Sequence, residues 1–368
     1  SELSTLAAVE GSVHQTIAKN WSAMESRGDW SRKLALLACS MCAKMLLIPA
    51  YFSTDFEVHR NWKAITWSLP LSRWYFDETS PWTLDYPPMF AYFEFLLARF
   101  ASVVNPGMLD IGVNDHWSLG TIVFQRLSVI FSGDLSLFLA STAYGATSQE
   151  LVLLLAHPAL VLVDNIHFQY NGFVIGVLMT ALSFLARTEP WTLPVGAILL
   201  ATALSLKQTL LFVCPVVAAF LVLRRGAWSA IGAAVVAAGT SAAIWAPFLS
   251  YTSQLLKRLF PFGRGLLHSY WAANVWALAA ACDLVLSRAT GGRPSNITRG
   301  LVDIDNPFSV LPSPTPAAAL ALTVIAMLPS IVAMWRPSLD DRVVLMVSAR
   351  VHLPLLPGCR FSSAGRVR

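Results

Sequence analysis

Charge is scarce in this 368-residue sequence: 26 Lys and Arg with 21 Asp and Glu amount to 13% of it, where soluble domains carry about 25%. Together with 55% hydrophobic residues and a mean hydropathy of +0.58, that deficit excludes an ordinary soluble domain and predicts a polytopic membrane protein. No clustered basic face accompanies the net charge of +5, so no nucleic-acid partner is expected. The five cysteines (39, 42, 214, 282 and 359) lack paired metal-ligand spacing. Cys39 and Cys42 form a C-x-x-C, but inside an apolar run without the strand and helix of a redox motif. The first thirty residues are polar and are not expected to act as a signal peptide, and no internal repeat of 20–50 residues emerges.

What the sequence does have is apolar runs. They cover 34–52, 119–141, 149–165, 170–186, 191–206, 208–223, 228–250 and 315–335, lengths near the roughly twenty residues a helix needs to cross the hydrocarbon layer. Arg32 and Lys33 precede the first run; Arg187, Arg224 with Arg225, and Arg336 follow the fourth, sixth and eighth. A cytosolic N-terminus puts all of these on one side, as the positive-inside rule prefers. The expected order is a cytosolic segment 1–33, a span 34–52, a luminal loop 53–118, and a bundle 119–249 with a short luminal turn at 163–172. A second luminal loop 250–314, a span 315–335 and a tail 336–368 complete it. Asn296-Ile-Thr298 in the second loop is a sequon on the side where glycosylation occurs.

The polar segments all fall on the luminal side and concentrate the ionisable residues. "STDFEVHRNW" brings Asp55, Glu57, His59 and Arg60 to the edge of a span, and "LDYPP" follows with Asp85 and Tyr86. An interfacial belt would account for Trp67, Trp74 and Trp82. It accounts less well for Asp55, because a carboxylate at the mouth of a span is costly unless it faces a polar cavity. In "DNIHFQYNG", His167, Gln169 and Asn171 alternate, so an extended segment would present all three to one side. A helix-capping turn is the competing reading. Their amides and imidazole suit a hydroxyl-rich ligand. Lys207 ends an apolar run, and "KRLFPFGRGLLHSYWAANVW" interleaves Lys257, Arg258, Arg264 and His268 with aromatics. These cations suit a lipid phosphate, and equally an interfacial helix with snorkelling side chains. Acids, hydroxyl-binding amides and cations in three segments fit an enzyme that moves a sugar from a phosphate-linked lipid.

At these residues the chain resembles a known family. "STDFEVHRNWKAIT", "LDYPP", "HPALVLVDNIHFQYNGF" and "RLFPFGRGLLHSYWAANVWAL" are similar to the dolichyl-phosphate-glucose-dependent glucosyltransferases of the endoplasmic reticulum. Those are GT-C-type membrane enzymes that add glucose to the lipid-linked precursor of N-glycans. "TDFEVHRNW" reads nearer the member adding the second, α-1,3-linked glucose than the member adding the first. The resemblance implies an all-α, multi-pass bundle in the endoplasmic reticulum membrane with a luminal site. It also implies an inverting single displacement with Asp55 as general base, and Glu57, His59, Arg60, Asp85, Tyr86, His167, Gln169 and Asn171 toward the substrates. Lys207, Arg258, Arg264 and His268 are expected at the donor phosphate. The substrates implied are dolichyl-linked lipids, with no cofactor, no metal and no obligate protein partner. Asn165 stands where the family usually has His.

After about Val347 the basic, Pro-containing "SARVHLPLLPGCRFSSAGRVR" departs from the family pattern, so a C-terminally incomplete bundle is expected. Two other readings stay open: a lipid transporter, motivated by Lys207 in an apolar context, and an inactive scaffold, motivated by the tail.

Overall fold

The computed structural model describes residues 29–113, 116–260, 275–291, 308–312, 316–335 and 341. Among them every regular element is helical, as a chain in hydrocarbon requires, where only a helix satisfies its own backbone within one segment. In order they are α1 (29–45), α2 (Asp55–Ser68), α3 (Pro88–Val104), α4 (Leu119–Tyr144), α5 (Ser148–Phe168) and α6 (Asn171–Leu185). Then come α7 (Thr192–Leu206), α8 (Gln208–Arg225), α9 (Ala227–Leu259), α10 (Val275–Ala289) and α11 (Pro316–Ala333).

The ends of these helices are written locally. The Ser118 side chain accepts from the Thr121 N–H at the start of α4, and Gly145, at φ 80°, closes it in the left-handed conformation. Thr147 and Glu150 form a reciprocal capping box at the start of α5. Helices α4, α5, α8 and α9 are long and apolar enough to cross a membrane, whereas α6 and α7 are apolar but shorter. With the composition above, this makes the chain a membrane protein. Helix contact relies on missing side chains: a Cβ on Gly176 of α6 would lie 2.3 Å from Ser136 Oγ of α4. Small residues let backbones approach in this way where lipid supplies no hydrophobic drive.

The segment expected as the luminal loop 53–118 contains the helices α2 and α3, and much of it packs into the core. In α2 every residue from Asp55 to Thr66 is buried, charges included. Trp74, expected at the interface, is 4% exposed. The short 3₁₀ turn Leu71–Arg73 tucks it inward, where its Nε1 donates to the Leu69 carbonyl at 3.1 Å. Its ring meets Tyr92, Phe95 and Phe248. Trp67 does stay exposed. Phe56, Trp62, Tyr86, Phe90, Phe168 and Tyr170 fill the core at this end, each ring worth about 1.5–3 kcal/mol of burial. The Asn296 sequon and the tail from 342 onward lie outside the described residues.

Candidate active site

Asp55 is the first residue of α2, and its position is set by a backbone crossing. The Ser53 N–H and Oγ both donate to the His167 carbonyl, at 3.0 and 2.7 Å, and the Asp55 N–H donates to Ser53 Oγ at 3.2 Å. The chain entering α2 is thereby tied to the end of α5. From there Gln169 Nε2 donates to Asp55 Oδ2, and His167 Nε2 lies 3.4 Å from the same oxygen.

His167 and Gln169 do not reach Asp55 from an extended strand, as their alternation suggested. Residues Val161–Phe168 are wound as a π-helical turn, and Phe168 takes φ 87°. A non-glycine residue rarely enters that region. Here the Phe168 ring is fully buried against Phe56 and Tyr170. The left-handed step turns the chain between the two residues, so both converge on one carboxylate, while Asn171 opens α6 instead.

Asn171 belongs to a second chain of contacts. Asp164 Oδ1 accepts from Asn171 Nδ2 at 2.9 Å and Asp164 Oδ2 accepts from the Gly172 N–H. The freed face of Asn171, its Oδ1, accepts from Lys207 Nζ at 2.7 Å. Lys207 follows the last turn of α7 in extended backbone, and its ammonium sits 5.4 Å from the Tyr86 ring centroid, within cation–π range. The Tyr86 hydroxyl in turn donates to Gln169 Oε1 at 3.4 Å. Asp55, His167, Gln169, Tyr86, Lys207 and Asn171 thus form one continuous polar surface. Asp85 is buried beside it, and its carbonyl accepts from Gln208 Nε2 at 3.2 Å. A cavity of about 340 Å³ opens next to Gln208 and Pro87, walled by Leu204, Leu211, Trp245 and Leu259.

The other charges of α2 meet the protein's own groups. Arg60 Nε donates to Glu57 Oε1 at 2.7 Å, and its two terminal nitrogens donate to the carbonyls of Met108, Asp110 and Val113. His59 Nδ1 pairs with Glu94 Oε1 at 2.6 Å, and Lys63 Nζ lies 2.7 Å from Glu94 Oε2. All three are buried. Burial pushes the His59 imidazole below its ordinary pKa and does the same to the Lys63 ammonium. Burial would raise the Glu94 carboxyl, but Lys63 and His59 outweigh it and hold it below the usual carboxylate range. Arg258 reaches back from α9 to Glu78 at 2.6 Å and to the Tyr75 carbonyl at 3.2 Å. Arg264 and His268 lie outside the described residues. Among the described residues no cluster of His, Cys, Asp or Glu could hold a metal ion.

Sequence reasoning passed over Ser53, Lys63, Glu94 and Arg126. Two of these carried a usable signal, since Glu94 and Arg126 are ionisable residues inside largely apolar helices.

Comparison with known proteins finds relatives over most of the chain. The curated dolichyl pyrophosphate Glc1Man9GlcNAc2 alpha-1,3-glucosyltransferase of Arabidopsis thaliana is 42% identical over 341 residues, covering 85% of this chain and 66% of that protein. The probable enzyme of the same name from Drosophila melanogaster is 42% identical over 339 residues, covering 86% of this chain and 64% of the relative. The Mus musculus protein is 40% identical over 350 residues, covering 84% and 65%. The chain therefore spans 64–66% of the length of these relatives. The profile of one family matches residues 40–352, a range that holds every side chain of the polar surface around Asp55, and the chain belongs to that family, the ALG6, ALG8 glycosyltransferase family.

Proposed function

We propose that this chain carries the site that transfers glucose from dolichyl phosphate glucose to a dolichyl-diphosphate-linked oligosaccharide already bearing one glucose, in α-1,3 linkage, at the luminal face of the endoplasmic reticulum membrane. The observation that carries the reading is Asp55, held between Gln169 and His167 on the same polar surface as Lys207. The names of the 40–42% identical relatives support the acceptor class. They do not name a donor.

The chemistry follows from those groups. Asp55 takes the proton of the acceptor hydroxyl as that oxygen attacks the anomeric carbon of glucose from the face opposite the phosphate. The bond from that carbon to the phosphate oxygen breaks, and dolichyl phosphate departs with the electron pair, so a β-linked glucosyl phosphate becomes an α-glucoside. Lys207, fixed by Asn171, supplies positive charge where the departing phosphate gains negative charge. Gln169 and Tyr86 offer acceptor and donor atoms to sugar hydroxyls. His167, 21% exposed at its side chain, offers Asp55 a route for returning the proton to water. Glu57, His59, Arg60 and Asp85 support this surface from behind. Arg258, Arg264 and His268 remain candidates for the phosphate, and the cavity beside Gln208 has the apolar walls an isoprenoid chain needs.

Microsomes lacking the endogenous activity test this directly. They would express the chain or its Asp55→Asn variant and receive dolichyl phosphate glucose with acceptors bearing no glucose or one. Transfer to the monoglucosylated acceptor, abolished by Asp55→Asn, is the expected result. Preference for the unglucosylated acceptor would assign the chain to the first step of the series, and undiminished transfer by Asp55→Asn would remove Asp55 as base.

A further inference from the structure

Arg126 lies two turns into α4, within an apolar span, and is 1% exposed. A guanidinium at such a place is costly unless its donors are met; its Nε has no partner among the described residues, and the terminal nitrogens carry all its hydrogen bonds. Its Nη1 donates to the Asn165 carbonyl and to that of Ile166 at 3.2 Å. Its Nη2 donates to Ala50 at 3.1 Å, Tyr51 at 2.9 Å and Ile166 at 3.2 Å. These carbonyls sit where helical bonding runs out, on one side in the stretch after α1 and on the other in the last turn of α5. Helix ends leave such acceptors without intrahelical partners, and a cation there also meets the negative end of the helix dipole. Phe52 and Phe168 flank the guanidinium at 5.9 Å each.

One side chain of α4 therefore binds, at the same time, the backbone leading into Asp55 and the turn that carries His167 and Gln169. Between those two stands Phe168 at φ 87°, a conformation that persists only where the surroundings over-determine it. Arg126 grips the two carbonyls immediately before that turn. We propose that Arg126 is a positioning residue for the transfer reaction: it locks the crossing of residues 50–55 with 164–169, and so fixes Gln169 and His167 against the Asp55 carboxylate. It touches no reacting atom. The role needs a planar fork of donors; a lysine ammonium at the same place gathers three donors on one nitrogen, against five contacts from two nitrogens here, and holds the two backbones less rigidly. The proposal rests on the reading of Asp55 as general base.

The test uses the full chain in detergent, with Arg126→Lys as the variant and two readouts. In hydrogen-exchange mass spectrometry, segments 50–55 and 164–169 are expected to lose protection together, by about tenfold, while α7 keeps its own. In the transfer assay, kcat is expected to fall about 10–100-fold with KM for donor and acceptor within about threefold, because misplacement of the base weakens the transition state more than binding. Unchanged exchange, or loss of protection in only one segment, overturns the proposal. So does a raised KM with kcat intact, which would make Arg126 part of a binding surface. If Arg126→Lys fails to accumulate, Arg126→Gln removes the buried cation while keeping an amide donor, and the same two readouts decide. An inactive wild-type chain whose exchange responds as expected would instead overturn the proposed transfer activity on which this reading rests, leaving the crossing intact.

Discussion

The N-terminal end and the middle of the charge-rich stretch in α2 behave differently although both are buried. In the middle, Glu57, Arg60, His59 and Lys63 are matched by Glu94 and by backbone carbonyls of 108–113. Those contacts weld α2 to α3 and to the chain that follows it. At the N-terminal end, Asp55 meets two side chains from a different part of the fold, and one of them, His167, is reachable from outside. A buried charge thus marks chemistry when its partners are titratable or polar groups at a surface, and scaffolding when its partners are fixed backbone or an equal and opposite charge.

The largest effect should fall at the Asp55 end and leave stability untouched. Asp55→Asn is expected to lower transfer about 10²–10⁴-fold, the range for removing a general base, while thermal unfolding in detergent stays near that of the unaltered chain. Lysis of the fold by this isosteric change would erase the distinction drawn above. Glu94→Gln should do the reverse. It strands Lys63 in the core, which costs about 3–5 kcal/mol when one partner of a buried pair is removed, so the unfolding midpoint should drop sharply. A Glu94→Gln protein as stable as the parent would mean that the middle of α2 is not scaffold.

Lys207→Met comes next. It removes the ammonium that sits over the Tyr86 ring but keeps an unbranched side chain, and transfer should fall about 10–100-fold with little change in stability, as expected for one electrostatic contact to a departing phosphate. Restored rates with an added exogenous amine would sharpen the assignment, and unchanged rates would cancel it.

Acid should loosen the middle of α2 through its titrating groups. The native state keeps His59 neutral, with a pKa below the ordinary 6.5, so the unfolded chain binds a proton first and stability falls as pH drops below that value. Glu94 is likewise depressed below 4.5; its contribution is complete above that pH and is lost as pH falls through the native value. Both act in the same direction, with His59 first. The unfolding midpoint should decline on going from pH 7.5 to 5, and His59→Gln should flatten the upper part of that decline. A midpoint that rises between pH 7.5 and 5 would contradict the His59 assignment; the Glu94 loss is read only below pH 4.5.

Much of the bundle was legible because an apolar run in lipid has few alternatives to a helix: the run at 119–141 is α4 (Leu119–Tyr144), and that at 191–206 is α7 (Thr192–Leu206). The burial of α2 was not legible. Its composition reads as surface, and the groups that neutralise it come from far away, Glu94 for His59 and Gln169 for Asp55, at separations of 35 and 114 residues. Asp55, His167, Gln169, Asn171 and Lys207 stood out as polar residues at the mouths of spans. Ser53 carried no such mark, because its role lies in the backbone crossing. The left-handed Phe168 turned the expected alternation of 167, 169 and 171 into a convergence, and nothing local announces that.

The smallest effect is the most discriminating for the periphery. Arg258 and Glu78 pair at 2.6 Å, the same distance as His59 and Glu94, yet the Glu78 side chain is 73% exposed. Distance alone would rank the two contacts together; solvent separates them, because an exposed pair gains little over its hydrated partners and contributes about 0–1 kcal/mol. Arg258 also donates to the Tyr75 carbonyl, so a neutral bond keeps α9 against the 75–83 segment once the carboxylate is gone. Glu78→Gln should therefore shift the unfolding midpoint by a degree or two at most, less still at high salt, and leave transfer intact. A loss as large as that of Glu94→Gln would show that charge separation, not burial, sets the worth of these pairs, and the contrast between the two parts of α2 would fail with it.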